Sequence, residues 1–221
     1  MSWSLGETGA IALKATRGAG MTWGLAEEAS EAIVWLQGRG LPGVAALCLY
    51  LNWYSCQRLL MPEWTGTLLE NTANPYCPFS IGTAISDGAI EIPDDCNTEI
   101  SLGLIRQPLL LLPFVSNCMQ EGYDFHIGEV SVLFALGKEN LASHSYMSNT
   151  LLVDQAECFI RPISEVQNKP QTEISSLRLP DCYGGCIEVL NTFASRIYAP
   201  STELSRFRGA GENSNVGDQL K

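Results

Sequence analysis

Residues 14–29 read KATRGAGMTWGLAEEA, and they predict a tight turn between two helices. Gly18 and Gly20 can end the first helix, because glycine accepts the left-handed backbone that closes a helix C-terminus. Thr22 can begin the second helix by accepting a hydrogen bond from a backbone N–H of its first turn. The S-x-x-E motif at residues 4–7 has the spacing of a capping box, which marks the start of the first helix. Together these signals predict an N-terminal helical hairpin.

Apolar residues continue at helical spacing on both sides of this turn. The second helix ends at the glycines at 38 and 40. Pro42 suits a first helical position and opens a third helix that runs to about Tyr54. We therefore predict that residues 1–60 form a helical subdomain.

Beyond residue 64, short apolar stretches alternate with turn residues, which is the pattern of β-strands. One apolar run, residues 109–120, predicts a single buried helix inserted among them, and a last helix begins after Asp181. The predicted strands cover residues 90–92, 99–105, 124–127, 129–136, 150–154 and 157–163. Helices followed by mixed or antiparallel strands and a closing helix make an α+β fold. The expected layout is one domain over residues 1–211 and a disordered tail over 212–221.

The charge of the chain restricts its partners. Acidic residues number 24 and basic residues 13, so the net charge is −11 and phosphate-rich surfaces are repelled. We expect neither nucleic acid nor a membrane surface as a partner. Charged residues make up only 17% of the chain, which favours a surface partly covered by a second copy in a homo-oligomer. The N-terminus lacks the pattern of a secretory signal and no apolar run approaches the roughly 20 residues of a membrane span, so we expect a cytoplasmic protein.

Eight cysteines are spread along the chain without the spacing typical of a metal site. Cys182 and Cys186 lie closest together, but no second pair and no nearby histidine accompany them in the sequence, and tetrahedral sites need four convergent ligands. We predict no metal, and the sequence identifies no cofactor. The thiols are expected to be reduced and mostly buried, as is usual in the cytosol.

The turn of the hairpin is the first candidate binding site. Gly18 and Gly20 let the backbone approach a ligand closely, and Thr22 begins a helix whose free N–H groups attract anions. Arg17 adds a cationic side chain, and Trp23 is a further candidate ligand contact. The alternative is an ordinary hairpin turn in which the glycines are caps and Arg17 pairs with a nearby glutamate.

Glu28 is the glutamate best placed for either role. At about 100° per residue, Glu27 and Glu31 point away from the apolar face of the second helix, whereas Glu28 lies beside that face. A carboxylate at the edge of an apolar surface needs a partner or a shifted pKa. We therefore expect Glu28 to pair with Arg17 or with a ligand.

The second candidate segment is YAPSTELSRFR, residues 198–208. Tyr198, Thr202 and Arg206 are its candidate ligand contacts, and Glu203 is a candidate acid or base. The alternative is that Glu203 and Arg206 simply pair on one helical turn.

The leading hypothesis combines the two segments into one site for a small anionic metabolite, in a binding protein or an enzyme. Arg17 and Arg206 would hold the anionic group. Glu28 or Glu203 would act as the acid or base, since a general base needs a carboxylate within reach and a tuned pKa.

Both segments also carry a family resemblance. The N-terminal pattern S-L-x-E…K-A-x-R-G-A-G-M-x-W-G-L-A-E-E-A and the C-terminal pattern Y-x-P-x-T-E-x-S-R-x-x-G-A-G resemble a bacterial family known only as a domain of unknown function (number 3726). The resemblance runs over nearly the whole chain and implies no activity. This chain departs from the family pattern at Gly6 and Gly9, where better helix formers are expected, which predicts a frayed first helix.

A hypothesis of another class comes from the tryptophans. All five lie in the first 64 residues, and tryptophan is enriched at protein interfaces. The alternative function is therefore that of a non-catalytic accessory protein, which binds a partner protein through its Trp-rich N-terminal helices.

Overall fold

The structure is a computed structural model, and it describes residues 3–56, 74–92, 98–117, 123–134, 141–142, 152–162 and 184–198. No helix in these ranges combines the length and the apolar character needed to cross a bilayer. The predicted tail over residues 212–221 lies outside the described residues, as do residues 199–211, which hold all of the C-terminal pattern except Tyr198.

Three helices form the N-terminal part, as predicted: α1 (Leu5–Gly18), α2 (Trp23–Gly38) and α3 (Gly43–Cys56). The capping box of α1 is complete, because the Glu7 backbone N–H donates to the Ser4 hydroxyl at 3.2 Å and the Ser4 backbone N–H donates to the Glu7 carboxylate at 2.8 Å. The Thr22 hydroxyl accepts from the Leu25 N–H at the start of α2. Gly20 adopts φ +99°, so the turn between the helices depends on its glycine.

Helix α1 runs unbroken from Leu5 to Gly18 with its capping box complete, so the expectation of a frayed first helix is wrong, and Gly9 serves packing. A Cβ built at Gly9 would lie 2.9 Å from a methyl group of Val34, and the Ser30 hydroxyl donates to the Gly9 carbonyl at 2.9 Å. The missing side chain therefore lets α2 approach the backbone of α1. Gly6 has open space around it and its absent side chain serves no contact.

The middle of the chain adds a helix that the sequence pattern did not predict, α4 (Pro78–Ser86). It is followed by the predicted apolar segment, a 3-10 turn over Pro108–Leu111 that continues into α5 (Leu112–Asn117). The last helix, α6 (Gly184–Ala194), ends in a 3-10 turn over Ser195–Ile197.

Five strands form one antiparallel sheet: β1 (Ile100–Arg106), β2 (Tyr123–Ile127), β3 (Val130–Phe134), β4 (Leu141–Ala142) and β5 (Gln155–Pro162). Their order across the sheet is β1-β5-β2-β3-β4. The strands predicted at 90–92 and 150–154 are wrong where the structure describes them, since residues 90–92 and 152–154 are not in strands.

The two halves share one hydrophobic core. On β2, Tyr123, Phe125 and Ile127 are buried while Asp124 and His126 between them are not, so one face of the sheet turns to the core. Leu109, Leu110, Leu111 and Leu112 have no exposed surface and belong to the same apolar cluster as residues from α1, α2, α3 and α6. The fold is therefore α+β, as predicted.

Helix α1 lies directly against the backbone of α6 at Gly18. A Cβ built there would lie 1.8 Å from the carbonyl oxygen of Phe193, a backbone atom that no rotamer change can move aside. We expect Gly18→Ala to lower the free energy of unfolding by about 1–3 kcal/mol, the usual cost of overpacking.

Gly6→Ala is the matched control in the same helix. With open space at Gly6, alanine should raise stability by about 0.5–1 kcal/mol through its better helix propensity. Thermal unfolding followed by circular dichroism measures both, at about 2–4 °C per kcal/mol for a chain of this size. Equal effects of the two substitutions would contradict the backbone contact.

Candidate functional site

A cleft of about 380 Å³ opens between α2, the end of α4 and α5. Helix α2 supplies one wall with Glu28, Glu31 and Trp35. The opposite wall comes from the other two helices, with Ser86 at the end of α4 and with Pro113, Phe114 and Asn117 on α5. The cleft therefore joins carboxylates to an apolar and aromatic surface.

Close packing of α4 against α5 fixes the aromatic wall. Gly82 lies directly against the Phe114 ring, where a Cβ would come within 2.4 Å. Phe114 also meets Phe79 of α4 edge to face, with ring centroids 6.5 Å apart. Since Phe114 is only 4% exposed, its ring forms a rigid part of the cleft rather than an adaptable surface.

Glu28 is the electrostatically unusual group of the cleft. Its partial burial raises its pKa above the ordinary value of 4.5, and the negative charges of Glu31, Asp87 and Glu27 raise that pKa further. In the part of the chain that the structure describes, no basic side chain forms an ion pair with Glu28. Its ionised form is therefore repelled by its neighbours and lacks a compensating cation.

Trp35 lies in the α2 wall of the cleft, and its ring already contacts one cationic side chain, that of Arg39. The Arg39 guanidinium lies 3.8 Å from the centroid of the Trp35 ring, and Arg39 donates a hydrogen bond to the Trp35 carbonyl at 3.3 Å. This contact fixes the ring at the end of α2. It also shows that a guanidinium can pack against this aromatic surface.

The predicted site residues at the hairpin turn hold the turn itself together. An Arg17 guanidinium nitrogen donates to the Met21 carbonyl, and the guanidinium lies 4.8 Å from the centroid of the Trp23 ring. Thr22 caps α2 with its hydroxyl. Arg17 thus links the end of α1 to the start of α2.

The predicted pairing of Arg17 with Glu28 is wrong. Arg17 is occupied within the turn, whereas Glu28 lines the cleft and has Asp87, at the C-cap of α4, among the charges that act on it. Of the predicted site residues that the structure describes, Glu28 is the one that lines the cleft.

The C-terminal candidate residues are described only in part. Tyr198 follows the last 3-10 turn and is 60% exposed. Thr202, Glu203 and Arg206 lie outside the described residues. Gly18 of the first segment packs against Phe193, in the last turn of α6, which precedes the second segment in the chain.

The sequence reasoning missed the half of the cleft that α4 and α5 supply.

Within the described ranges, no group of three or more His, Cys, Asp or Glu side chains is placed to hold a metal ion.

Comparison with known proteins gives one family. No curated protein and no solved structure matches the chain. The resemblance noted in the sequence is confirmed as to family but corrected as to extent: it covers residues 3–72, not nearly the whole chain. This region supplies the α2 wall of the cleft, while α4 and α5 lie beyond it. The family to which the N-terminal third of this chain is matched is the one described as Protein of unknown function (DUF3726).

Proposed function

We propose that this protein binds a small organic cation in the cleft between α2, α4 and α5. The observation that carries the proposal is Glu28, a half-buried carboxylate on the cleft wall whose pKa is raised by burial and by neighbouring negative charges. A cation bound beside Glu28 would replace repulsion by attraction. The favourable free energy is larger at a partly buried site, because solvent screens the charges less.

The apolar walls select for an organic cation. Pro113 and Phe114 are buried side chains that offer an alkyl or aromatic body a surface to pack against. An ammonium or guanidinium group at one end of such a molecule would lie against Glu28. Ligand pockets are usually about 300–1,000 Å³ in volume, so a cleft of this size suits a small molecule.

The ligand that we propose for the cleft is a cation, whereas the metabolite expected from the sequence is an anion. The anion site between segments 17–28 and 198–208 stays a prediction, supported by the packing of α1 on α6 at Gly18. We favour the cleft because Arg17 already donates to Met21 and stacks on Trp23. Glu28, a candidate acid or base in the sequence, is assigned here as the charge partner of the ligand.

A second function is favoured by one observation, the exposure of Trp23. Its side chain is 61% exposed, whereas Trp3, Trp35 and Trp53 pack against the core. A tryptophan so exposed is typical of a surface that meets a partner protein. Partner binding through the N-terminal helices therefore remains our alternative proposal.

The setting that we propose is the cytoplasm of a bacterium. Support comes from the five described cysteines, which are all free thiols. The net charge of −11 supports the absence of nucleic acid among the partners. The low content of charged residues, 17%, supports self-association.

The cation proposal is tested with n-butylammonium chloride and its uncharged counterpart n-butanol. We expect the ammonium salt, and not the alcohol, to raise the melting temperature of the wild-type protein, since a ligand at about 100 times its dissociation constant stabilises the native state by about 2.7 kcal/mol. Glu28→Gln should weaken ammonium binding at least about tenfold in isothermal titration calorimetry, as expected for a lost charge-assisted contact of ~1.4 kcal/mol or more.

Glu27→Gln is the matched control, because it removes the same charge from a neighbouring position of α2 that does not line the cleft. It should leave the dissociation constant within about twofold of wild type, a difference of only ~0.4 kcal/mol. Equal losses in the two variants, or equal stabilisation by the alcohol, would contradict a specific contact with Glu28.

Binding should also depend on pH. The ionised carboxylate is the form that attracts a cation, so ammonium binding should strengthen as pH rises through the raised pKa of Glu28. The stability of the ligand-free protein has the opposite sign: because the folded-state pKa is raised, the stability that Glu28 contributes is fully present below its unfolded pKa and lost as pH rises.

Thermal unfolding of Glu28→Gln checks this sign. Relative to wild type, the variant should gain in melting temperature as the buffer changes from about pH 4 to about pH 7, across the range in which a raised glutamate titrates. A gain that is the same at both pH values would show that Glu28 is not the titrating group.

A further inference from the structure

A second carboxylate, that of Glu31, lines the same cleft as Glu28. The two glutamates lie one helical turn apart on α2, and Ala32 and Trp35 continue the same face of the helix along the cleft wall. Residues at this spacing are neighbours on a helix surface, with Cβ atoms about 5–6 Å apart. The α2 wall therefore presents two carboxylates side by side, followed by an apolar surface.

The two charges have no counter-charge on the walls of the cleft. None of the described residues that line it is basic, and neither glutamate forms an ion pair with a basic side chain in the described ranges. Asp87, at the C-cap of α4, adds a further negative charge near Glu28. Like charges one turn apart on a helix repel each other. A ligand that brought a positive charge to each carboxylate would offset this repulsion.

We propose that the ligand of this cleft is a short diamine, whose two ammonium groups contact Glu28 and Glu31 while its methylene chain packs against the apolar residues of the walls. The inference rests on the cation site proposed above and specifies the class of its ligand. An alkylamine resembles the lysine side chain, whose pKa is about 10.4, so both ends of a diamine are charged at neutral pH.

The walls of the cleft suit the carbon chain of such a molecule. Ala32 and Trp35 supply apolar atoms on the α2 side, and Pro113 and Phe114 supply them on the α5 side. Methylene groups placed between these walls are removed from water, which favours binding. A divalent metal ion carries the same total charge at a single point and has no apolar body, so only the diamine uses both the paired charges and the apolar surface.

The two glutamates contribute to different parts of the recognition. Glu28 is partly buried, whereas Glu31 is exposed. Solvent screens an exposed ion pair more strongly than a partly buried one. Glu28 therefore supplies most of the affinity for any amine, and Glu31 supplies a smaller preference for a ligand with a second charge.

The experiment titrates the full chain with putrescine, a four-carbon diamine, and with aminobutanol, in which a hydroxyl replaces the second ammonium group. Isothermal titration calorimetry at matched low ionic strength should show putrescine binding about three- to fivefold more tightly, as expected for one additional exposed ion pair. This difference exceeds the small statistical advantage that putrescine has from its two identical ends. Added sodium chloride should reduce the preference, since the contact with Glu31 is screened by salt.

Three variants assign the preference to one side chain. Glu31→Gln should leave putrescine only its statistical advantage, with aminobutanol still bound within about twofold of the wild-type dissociation constant. Glu28→Gln should weaken the binding of both amines. Glu27→Gln is the matched control, because it removes a negative charge that also acts on Glu28 but does not line the cleft, and it should keep the preference. Circular dichroism checks that each variant is folded.

The outcomes separate this inference from the function on which it rests. Equal binding of the two amines by the wild-type protein would overturn the diamine and leave the cation site in place, whereas no binding of either amine would overturn both. A preference for putrescine that survives Glu31→Gln would contradict the contact with Glu31. Magnesium chloride that binds as tightly as putrescine and depends on Glu31 would show that the cleft selects charge alone, which also overturns the diamine.

Discussion

Four consecutive leucines, Leu109 to Leu112, join the helical half of the structure to the sheet. Each has no exposed surface. The 3-10 turn that contains most of them packs against α2, α3, α4 and β5. Burial of a leucine side chain contributes about 1.5–3 kcal/mol, so this short segment contributes strongly to the apolar contact between the helices and the sheet. Its position determines where the neighbouring helices can lie.

The chain must turn sharply from β1 to reach this buried position, and Gln107 makes the turn. Gln107 has φ +48°, a left-handed conformation that costs a residue other than glycine of the order of 1 kcal/mol. Its backbone N–H donates to the Asp154 carbonyl at 2.9 Å, and its side-chain amide donates to the Asp154 carboxylate at 3.4 Å. Arg106 pairs with the same carboxylate at 2.5 Å. The contacts of Arg106 and Gln107 with Asp154, the residue before β5, therefore stabilise the left-handed turn that leads from β1 to the buried leucines.

The cleft follows from the same constraint. α5 continues directly from the leucine segment, so the position of Pro113 and Phe114 is set by the core rather than by the cleft. Gly82 then lets α4 rest on the Phe114 ring. The charge of Glu28 lies beside this preformed apolar wall and carries a raised pKa as a consequence. A preformed wall lowers the conformational entropy lost on binding.

The parts of this structure that the sequence could predict are those fixed by local interactions. The capping box at Ser4, the cap at Thr22 and Gly20 in the turn act within a few residues, and α1 and α2 begin and end where these signals lie. Helix α4 was missed because Cys77 provides no side-chain cap and Gly82 interrupts the pattern of good helix formers. The role of Gly82 in helix packing becomes apparent only from the tertiary structure, in which the Phe114 ring lies against it.

The candidate site also has one part that local sequence signals predict and another part that depends on tertiary contacts. The periodicity of α2 placed Glu28 at the edge of an apolar face, which the structure shows. The neighbours of Glu28, by contrast, depend on tertiary contacts with α4 and α5. Arg17 was expected beside Glu28, but the charge that α4 brings near it is that of Asp87, a second carboxylate. Short apolar runs at 90–92 and 152–154 failed as strands for a related reason, because a strand exists only where a neighbouring strand pairs with it.

The last helix, α6, is held against the N-terminal part by backbone packing. Gly18 of α1 has no side chain, and the Phe193 carbonyl in the last turn of α6 lies where its Cβ would be. The cleft is built from α2, α4 and α5. The contact that holds the last turn of α6 therefore contains no residue of the cleft, so the position of this helix and the charge environment of Glu28 depend on separate physical features of one core.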